Sequence, residues 1–548
     1  MSRPVAAKET YLYQAVPPQA NALRVGWAYP AGYNIAMSAL GWLLLFRQLD
    51  QNPSVAVQRI TTDTPAGHIA KDLALFGLSL AWELDLAGVM TLLENARIPL
   101  WSHQRTQEHP LVFAGGPVAT TNPEPYADFF DFFLIGDGED VLEEVVSACQ
   151  NFSPTQSRQE RLLELAQIEG VYVPSLYQVH YASAQGEILS IEPRSSQVPT
   201  LVQRRNATDL ANRVAASPIL TEDTVFSNTF LVEVMRGCAH RCRFCLASYS
   251  NLPARGSDLT PLIAVIEQGL AHTRKLGLLG ALIADHPEFE SLCDFLNRQD
   301  NLELSASSLR ADTLTEGIAQ TFVRGGQRQL TLAIESGSPT LRRRINKHLK
   351  QEAIFQAAMA SEKAGLKGLK LYGMVGLPDE TDEDVAQTIA LFAELKKVAP
   401  KLKWTLGCST FVPKAATPFQ WMARPETRLL EARQEALRKG LLKRADFRPS
   451  SPKWDTLQAL LSRGDRRLSA LLVKFQELGG KLGSLNRAYK ALEADGIQLP
   501  SLEWYAHRAR PESEVLPWDR IHLGVPKAIL WKEAAPPPNA LSNSAQGP

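Results

Sequence analysis

The sequence contains few cysteines, no long apolar run and no net charge. Six cysteines in 548 residues are too few for a disulfide framework, and they predict a reducing, cytoplasmic environment. The longest apolar run, "MSALGWLLLF", is too short to cross a bilayer, and the first residues lack the apolar core of a signal peptide. Lys and Arg together number 58, as do Asp and Glu, so no global field attracts nucleic acid or an anionic membrane. We therefore expect a cytoplasmic protein without a transmembrane segment.

The length and composition predict a globular protein with several domains. A chain of 548 residues is too long for one hydrophobic core, and 45% apolar and 21% charged residues are typical of globular proteins. The expected fold class is α/β, and the pattern divides the chain into six parts. These are an N-terminal arm (1–21), a doubly wound Rossmann-like domain (22–150), a connecting segment (151–227), a partial TIM-type barrel (228–425), a mainly helical C-terminal region (426–533) and a disordered tail (534–548).

The first block alternates short buried strands with helices. Its apolar runs are "ALRVGWAYP", "SVAVQRITT", "LALFGLSLAW", "LVFAGGP" and "FFLIGDGE", and amphipathic stretches separate them. This rhythm is typical of an open, doubly wound sheet that binds nucleotides or related cofactors. The segment "GWAYPAGYN" after the first strand lacks GxGxxG, which argues against NAD or FAD.

The second block repeats the strand–helix rhythm six times. The predicted strands are "FLVEVMRG", "LGALIAD", "LELSASSL", "QLTLAIESG", "LKLYGMVGLP" and "KWTLGCSTFVP". Six such units in about 200 residues predict a partial (β/α)6 barrel of the TIM type. After Pro425 the sequence becomes helix-like and basic, with no further alternation. Its Lys and Arg residues form either an RNA-facing patch or the solvated face of a helix.

Three of the six cysteines lie on one loop, directly after the first barrel strand. Cys238, Cys242 and Cys245 are spaced CxxxCxxC. Catalytic groups of such barrels lie at the carboxyl ends of strands, which is where this loop begins. The other cysteines are isolated in apolar sequence and predict small core residues; they are Cys149, Cys293 and Cys408.

Zinc and an iron–sulfur cluster are the two metal sites that this loop could form. A structural zinc site needs four tetrahedral ligands, and no second CxxC or HxxxH occurs in the chain, although His240 lies inside the loop. Thiolates also suit iron–sulfur clusters, and three cysteines leave one iron of a cubane without a protein ligand. An open iron can bind a substrate or cofactor. The cations Arg236, Arg241 and Arg243 are expected to lower the pKa of the thiols.

The cysteine spacing, with Phe244 directly before the last cysteine, resembles that of the radical S-adenosylmethionine enzymes. The resemblance implies that the three cysteines hold a [4Fe–4S] cluster whose fourth iron binds S-adenosylmethionine. It also implies reductive cleavage of that cofactor to a 5′-deoxyadenosyl radical, which abstracts hydrogen from a substrate. An electron donor such as ferredoxin or flavodoxin is then required.

Further positions are carried over from the family one at a time, as residues expected to contact the cofactor. "ADHP" stands where the family usually has GGEP, so both glycines are replaced. The arginine expected at the carboxylate of S-adenosylmethionine lies in "LRRR", where Arg342 and Arg344 are alternatives to the one chosen. The residues implied are Phe244, Ala284 and Asp285 in "ADHP", Glu335 and Ser336 after the fourth strand, Arg343, Gly376 after the fifth, and Val412 after the sixth.

The N-terminal block resembles the branch of this family that carries a cobalamin-binding domain. "LVFAGGPVATTNPEPYADFFDFFLIGDGED" is similar to the pattern GGP…P…D…GEGE, in which Gly115 and Gly116 would form the turn after a strand. The resemblance covers nearly the whole chain and is strongest to an uncharacterised subgroup. DxHxxG, whose histidine binds cobalt in the mutases, does not occur, so cobalamin and an empty Rossmann-like domain are both open.

Three functions remain open from the sequence. The first is a radical enzyme that modifies an unactivated carbon of a small or lipid-like molecule, with cobalamin-dependent methyl transfer as one version. The second modifies RNA; methylthiotransferases bind a second cluster through three N-terminal cysteines, whereas only Cys149 precedes Cys238 here. The third is a non-catalytic iron–sulfur sensor or scaffold.

Overall fold

An open six-stranded sheet forms the first part of the structure, a computed structural model that describes residues 8–535. The sheet order is β3-β2-β4-β5-β6-β7, and all neighbours are parallel except β6 and β7. The elements of this part are β1 (Glu9–Tyr11), β2 (Leu23–Tyr29), α1 (Tyr33–Ala36), α2 (Leu40–Asp50), β3 (Val55–Thr61), β4 (Leu75–Ser79), α3 (Leu86–Asn95), β5 (Leu111–Gly115), α4 (Pro117–Thr121), β6 (Phe132–Leu134), α5 (Gly138–Asn151), α6 (Arg158–Leu165) and β7 (Val171–Tyr172).

The sheet is doubly wound, as the apolar runs predict. The chain proceeds outward from β2 to β3 and then crosses back to β4, so the winding reverses between β2 and β4. At such a reversal a crevice opens at the carboxyl ends of the strands. Large aromatic rings fill the sheet around Gly77, where a Cβ would lie 2.5 Å from the ring of Phe113 and 2.7 Å from that of Trp27.

Short strands connect the first sheet to the second block. They are β8 (Tyr177–Tyr181), β9 (Ile188–Pro193), β10 (Val202–Gln203) and β11 (Ile219–Thr221). β8 and β9 form an antiparallel pair, and β11 pairs with β1 of the N-terminal arm. Of that arm, residues 1–7 lie outside the described part of the chain.

The second block is an open arc of parallel strands with helices on its outer side. Its elements are β12 (Thr229–Arg236), α7 (Ala247–Ser250), β13 (Arg255–Gly256), α8 (Leu259–Leu270), β14 (Lys275–Gly280), α9 (Phe289–Asn297), β15 (Glu303–Ala306), α10 (Glu316–Arg324), β16 (Gln329–Glu335), α11 (Pro339–Arg344), α12 (Gln351–Ala364), β17 (Gly368–Val375), α13 (Asp382–Val398), β18 (Lys403–Thr410), α14 (Thr427–Gly440) and β19 (Asp446–Pro449).

The parallel strands of the arc follow one another in chain order. β12-β14-β15 and β16-β17-β18-β19 form two sheets, which the parallel bridge between Leu309 and Leu332 joins. Within residues 8–535 no pairing between β19 and β12 closes the arc, and short antiparallel β13 lies on the free edge of β12. The fold is therefore an α/β partial barrel of the TIM type preceded by a doubly wound sheet.

Two details of the arc differ from the sequence expectation. The second strand is β14, which ends at Gly280, and most of "LGALIAD" forms the loop and short helix that follow it. The expectation that the alternation ends at Pro425 is wrong, because α14 and β19 add one more unit and β19 pairs in parallel with β18. β19 is only four residues long and reads "DFRP", so no apolar run marks it.

The last helices return to the N-terminal sheet. They are α15 (Pro452–Arg463), α16 (Leu468–Glu477), α17 (Leu482–Ala494), α18 (Leu502–Ala506) and α19 (Lys527–Ala534), with the short strand β20 (Ile521–His522) before α19. Leu460, Leu471 and Phe475 belong to the same apolar core as the first sheet. The C-terminal region therefore covers the first domain, and of the tail expected over 534–548 all but residues 534–535 lie outside the described range.

No helix within residues 8–535 is both long enough and apolar enough to cross a lipid bilayer. The basic residues from Arg424 onward are also partly internal, because Arg424 and Arg433 are buried. Arg433 binds the carboxylate of Glu380 at 2.7 Å, so part of the basic sequence stabilises the barrel instead of facing solvent.

Candidate active site

A cavity of about 580 Å³ lies inside the arc at the carboxyl ends of its strands. The cysteine loop after β12 forms one side of it, and residues of β16 to β19 form the opposite side. All three loop cysteines line it, together with His240 and Phe244. Parallel strands thus bring together residues that are more than 200 positions apart in sequence, from Cys238 to Ser450.

The backbone of the cysteine loop turns sharply after β12. Gly237 has a φ of +79°, and a Cβ there would lie 2.3 Å from the carbonyl oxygen of Asn251. Glycine is therefore required at this position. The N–H of Cys245 donates to the carbonyl of Cys242 at 2.9 Å, which holds the last two cysteines in one tight turn.

Two parts of the chain outside the barrel hold the loop in place. Arg236 at its start forms ion pairs with Glu139 of the first domain at 2.8 Å and with Asp137 at 3.1 Å. Arg241 pairs with Glu533 of α19 at 2.6 Å. The first domain and the last helix therefore both position the cysteine loop.

The expected lowering of thiol pKa by the loop arginines is not what the structure shows. Arg236 and Arg241 are paired with carboxylates, and Arg243 donates to carbonyl oxygens of α11, including that of Arg344. Burial dominates instead and raises the pKa of Cys242 to about 12. Without metal this thiol is protonated at neutral pH, so metal binding has to displace its proton.

A buried ion pair lies beside the cysteine loop, and its lysine follows Asn346, whose side chain donates to loop carbonyl oxygens. Lys347 Nζ lies 2.9 Å from Glu335 Oε1, and the two side chains are only 6% and 11% exposed. Glu335 has a φ of +66°, which directs it away from the regular end of β16. Lys347 lowers and Glu335 raises the pKa of Cys242, in addition to the larger effect of burial. Both side chains line the cavity.

The cavity carries more positive than negative charge. Its lining contains four cations, Arg310, Lys347, Lys370 and Arg448, and one carboxylate, Glu335. None of these cations was expected at the cofactor site from the sequence, where Arg448 was only one of the basic residues of the C-terminal region. Alternation along β17 could have indicated Lys370, because Leu369 and Leu371 are apolar and face the helices, but nothing in the sequence marks the others as neighbours.

The "ADHP" segment contributes to the cavity indirectly. Asp285 Oδ2 lies 2.8 Å from Nε2 of His240, which does line the cavity. Ala284 is partly buried in the barrel core beside it, whereas Ala281 and Leu282 are the lining residues from this strand end. Asp285 therefore ties the second strand end to the cysteine loop.

The remaining expected cofactor residues after β16, β17 and β18 lie outside the cavity lining. Arg343 is exposed and donates to Thr340 Oγ1 at 3.1 Å. Its neighbour Arg342 is buried and donates to the carbonyl of Ser336 at 2.8 Å. The guanidinium of Arg344 is paired with Asp379 at 2.5 Å.

Gly376 and Val412 complete this set. Gly376 has a φ of +84°, and a Cβ there would lie 2.3 Å from Leu430 Cδ2 in α14. Its N–H donates to the buried carboxylate of Glu380, whose pKa burial raises to about 7. Val412 is partly exposed in the segment after β18. The structure thus brings Phe244 and Glu335 to the cavity, but not these two residues.

The donor set fits a [4Fe–4S] cluster with S-adenosylmethionine. Three thiols enter a cavity that also holds cations, which can bind a carboxylate, and an aromatic ring at Phe244. Within residues 8–535 no three His, Cys, Asp or Glu side chains converge as the ligands of a single ion do. In a cubane each cysteine binds a different iron, so wider separation of the sulfurs is compatible with this cofactor.

The carboxyl edge of the first sheet is partly open beside the cysteine loop. Gly116 has a φ of +105°, and a Cβ there would lie 2.7 Å from the carbonyl oxygen of Leu80. Gly115 ends β5, and Pro117 beyond the turn is exposed. Trp82, after β4, is 51% exposed although it is large and apolar. α4, which starts at this edge, contacts α7, which follows the cysteine loop.

The location of this edge is suitable for cobalamin, but its loops offer no histidine ligand for the cobalt ion. It lies at the reversal of the winding, where such sheets bind cofactors. The loops that follow β2, β4, β5 and β6 contain no histidine that could bind cobalt.

Comparisons with known families agree with the arrangement of the two blocks. Residues 232–392 match the family described as "Radical SAM superfamily", and residues 49–174 match "Radical SAM proteins, N-terminal". The first range covers β12 to most of α13, including the cysteine loop, and the second covers most of the doubly wound sheet.

Relatives and solved structures are similar over different shares of the chain. An uncharacterised protein of Methanocaldococcus jannaschii is 28% identical over 401 residues, which is 72% of this chain and 79% of the relative. A tRNA-2-methylthio-N(6)-dimethylallyladenosine synthase of Sorangium cellulosum is 25% identical over 205 residues, 33% of this chain and 41% of that protein. The cobalamin-dependent S-adenosylmethionine radical enzyme OxsB, solved with aqua-cobalamin, is 12% identical with a TM-score of 0.46, covering 86% of this chain and 71% of that chain.

Proposed function

We propose, from the premise that this chain belongs to the radical S-adenosylmethionine superfamily, that it generates a 5′-deoxyadenosyl radical and modifies an unactivated carbon of a small-molecule substrate. The observation that carries the proposal is the single cavity shared by three thiols and the Glu335–Lys347 pair. Enzymes of this superfamily require a reductant, and ferredoxin or flavodoxin is the proposed donor.

Cys238, Cys242 and Cys245 would hold the [4Fe–4S] cluster and leave one iron for S-adenosylmethionine. When bound, these two cofactors supply a carbon radical by one-electron cleavage of the sulfonium. Lys347 and Arg310 are the cations that we propose for the carboxylate of S-adenosylmethionine, because they line the cavity and act electrostatically on Cys242. Phe244 would exclude water beside the last cysteine.

Reductive cleavage of S-adenosylmethionine by the reconstituted protein tests this function. After anaerobic reconstitution and reduction with dithionite, we expect 5′-deoxyadenosine to accumulate even without substrate, at least about tenfold above a sample that lacks reductant. Liquid chromatography with mass detection measures it. A protein with an intact cluster and no 5′-deoxyadenosine would instead be a sensor or scaffold, which is the non-catalytic alternative.

Cobalamin-dependent methyl transfer is the second candidate. The open edge around Trp82 and the contact between α4 and α7 favour it, because a cofactor there would lie beside the cysteine loop.

We expect the protein to retain about one cobalamin per chain after gel filtration with hydroxocobalamin, as measured by cobalt analysis and visible absorption. Gly116→Val should lower retention, since the turn requires a positive φ and has no room for Cβ. If the wild-type protein retains no cobalt, cobalamin-dependent methyl transfer is excluded, whereas the proposal of radical formation is unaffected.

A further inference from the structure

Four residues on three neighbouring strands form one wall of the cavity. We call this set, Lys370, Tyr372, Gly407 and Arg448, the cationic wall. Tyr372 of β17 pairs in register with Gly407 of β18, and Gly407 pairs with Arg448 of β19. Residues paired in register on parallel strands point to the same face, and so does Lys370, two positions before Tyr372. The wall therefore faces the inside of the arc.

Gly407 shapes the wall by lacking a side chain. A Cβ at this position would lie 3.1 Å from both Lys370 Cε and Tyr372 Cδ1. The lysine and tyrosine side chains thus lie across β18 where any larger residue would push them away. Lys370 Nζ is 4.8 Å from the ring centroid of Tyr372, which places a cation beside an aromatic face.

Lys370 differs from the other cations of the cavity in having no counter-charge. Lys347 is paired with Glu335 at 2.9 Å, and Arg310 is paired with Asp312 at 2.7 Å. Within residues 8–535, Lys370 forms no ion pair within 4.0 Å and no hydrogen bond, and its ammonium group lies beside the ring of Tyr372. An unpaired ammonium group in the lining of a cavity favours the binding of an anion in that cavity.

Arg448 provides a second positive group on the same wall. Its guanidinium lies 2.6 Å from Asp446, but its side chain is 67% exposed, so the pair is screened and can accept another partner. Ser450 lines the same side of the cavity and adds a hydroxyl donor. Two cations, a hydroxyl and an aromatic face suit a carboxylate or phosphate attached to an organic body.

The cofactors do not account for these charges. S-adenosylmethionine has one carboxylate but two positive groups, its amine and its sulfonium. Lys347 and Arg310 interact electrostatically with Cys242, and they are already assigned to the carboxylate of S-adenosylmethionine and to the thiolates. Lys370 and Arg448 remain for a third molecule in the same cavity.

We propose that the cationic wall binds a carboxylate or phosphate group of the substrate and so selects anionic small molecules. This proposal rests on the function proposed above, since it assigns the substrate class of that same cavity. The volume of about 580 Å³ favours a small molecule over a polymer.

Equilibrium dialysis of the reconstituted protein with S-adenosylmethionine tests the wall directly. The probes are radiolabelled inorganic pyrophosphate and malonate, at one fixed ionic strength. We expect at least one probe to bind the wild type, Lys370→Met to weaken it about tenfold or more, and Lys370→Arg to preserve it. Preferred binding of pyrophosphate or of malonate distinguishes a phosphate from a carboxylate. Lys403→Met is the matched control, because Lys403 is exposed at the start of β18 and does not line the cavity.

Substrate-free formation of 5′-deoxyadenosine, measured on the same samples, separates this proposal from the proposed function. Equal formation by the wild type and Lys370→Met, with lost anion binding, supports the wall. Unchanged probe binding in Lys370→Met overturns the proposal, and so does binding of a short single-stranded RNA but of neither probe. A parallel loss of 5′-deoxyadenosine would also overturn it, because Lys370 would then serve S-adenosylmethionine. No 5′-deoxyadenosine from the wild type overturns the proposed function, whatever the dialysis shows.

Discussion

Each of the variants Cys238→Ala, Cys242→Ala and Cys245→Ala is expected to lose the [4Fe–4S] cluster and with it the formation of 5′-deoxyadenosine. Removing one thiolate leaves two of the four irons without a protein ligand, and a cubane held at two corners is not retained. We expect the broad absorption of the cluster and the bound iron to fall to the level of unreconstituted protein. Ultraviolet–visible and electron paramagnetic resonance spectra of anaerobically reconstituted samples measure both effects.

Cys293→Ala is the matched control for these variants. Cys293 is buried in the barrel core on α9, and burial raises its pKa to about 11, so it is a neutral, packed thiol. The variant should keep the cluster and lose at most about 1 kcal/mol of stability from the small space created. Cys408 is also buried in that core although it borders the cavity, and Cys408→Ala should likewise keep the cluster. Equal loss of iron in a control and a loop variant would contradict the assignment of the loop.

Lys347→Met is expected to reduce the cleavage of S-adenosylmethionine by about a hundredfold or more, an effect of about 3 kcal/mol on the reaction. Lys347 is a buried cation that lowers the pKa of the Cys242 thiol. Its loss removes a positive charge from the side of the cavity where the cofactors would bind. Arg343→Met should change cleavage by less than about twofold, because Arg343 is exposed on α11 and does not line the cavity. Initial rates of 5′-deoxyadenosine formation and dialysis with labelled S-adenosylmethionine provide the measurements.

The loss in Lys347→Met has to be separated from simple destabilisation. Removing one partner of a buried pair leaves Glu335 as an uncompensated charge, which costs about 3–5 kcal/mol. The double variant Glu335→Gln with Lys347→Met removes both charges, so the thermal transition should return toward that of the wild type while cleavage stays low. Full cleavage in the double variant, or a larger loss in Arg343→Met, would show that the cation for the carboxylate lies elsewhere.

Much of the architecture follows from the sequence because strands buried on both faces need continuous apolar runs. All five runs of the first block form strands, and the second block contains a strand at or beside each of its six runs. The position of the cysteines after the first barrel strand is equally local, since the loop begins where β12 ends at Arg236. β19 was not predicted, because a short strand with charged residues has no such apolar run.

The site could be predicted only where its residues carry a local motif. Spacing along the chain identified the three cysteines, and the resemblance to the family implied Phe244 and Glu335; the structure places all of them at the cavity. Arg343 and Lys347 are four residues apart, yet one is exposed and the other buried, because the short helix α11 ends between them and the chain then turns inward. No periodicity of "RRRINK" reveals which basic residue enters the cavity.

By itself the sequence determined the order of strands and helices, the cysteine loop and its place at a strand end, since each depends on neighbouring residues. Only the tertiary structure decided which charges share the cavity, that α19 and the first domain hold the cysteine loop, and that the C-terminal helices complete the first core. Strand register sets these contacts: it places Tyr372, Gly407 and Arg448 in one row. Register depends on packing between segments far apart in the chain, which no short stretch of residues encodes.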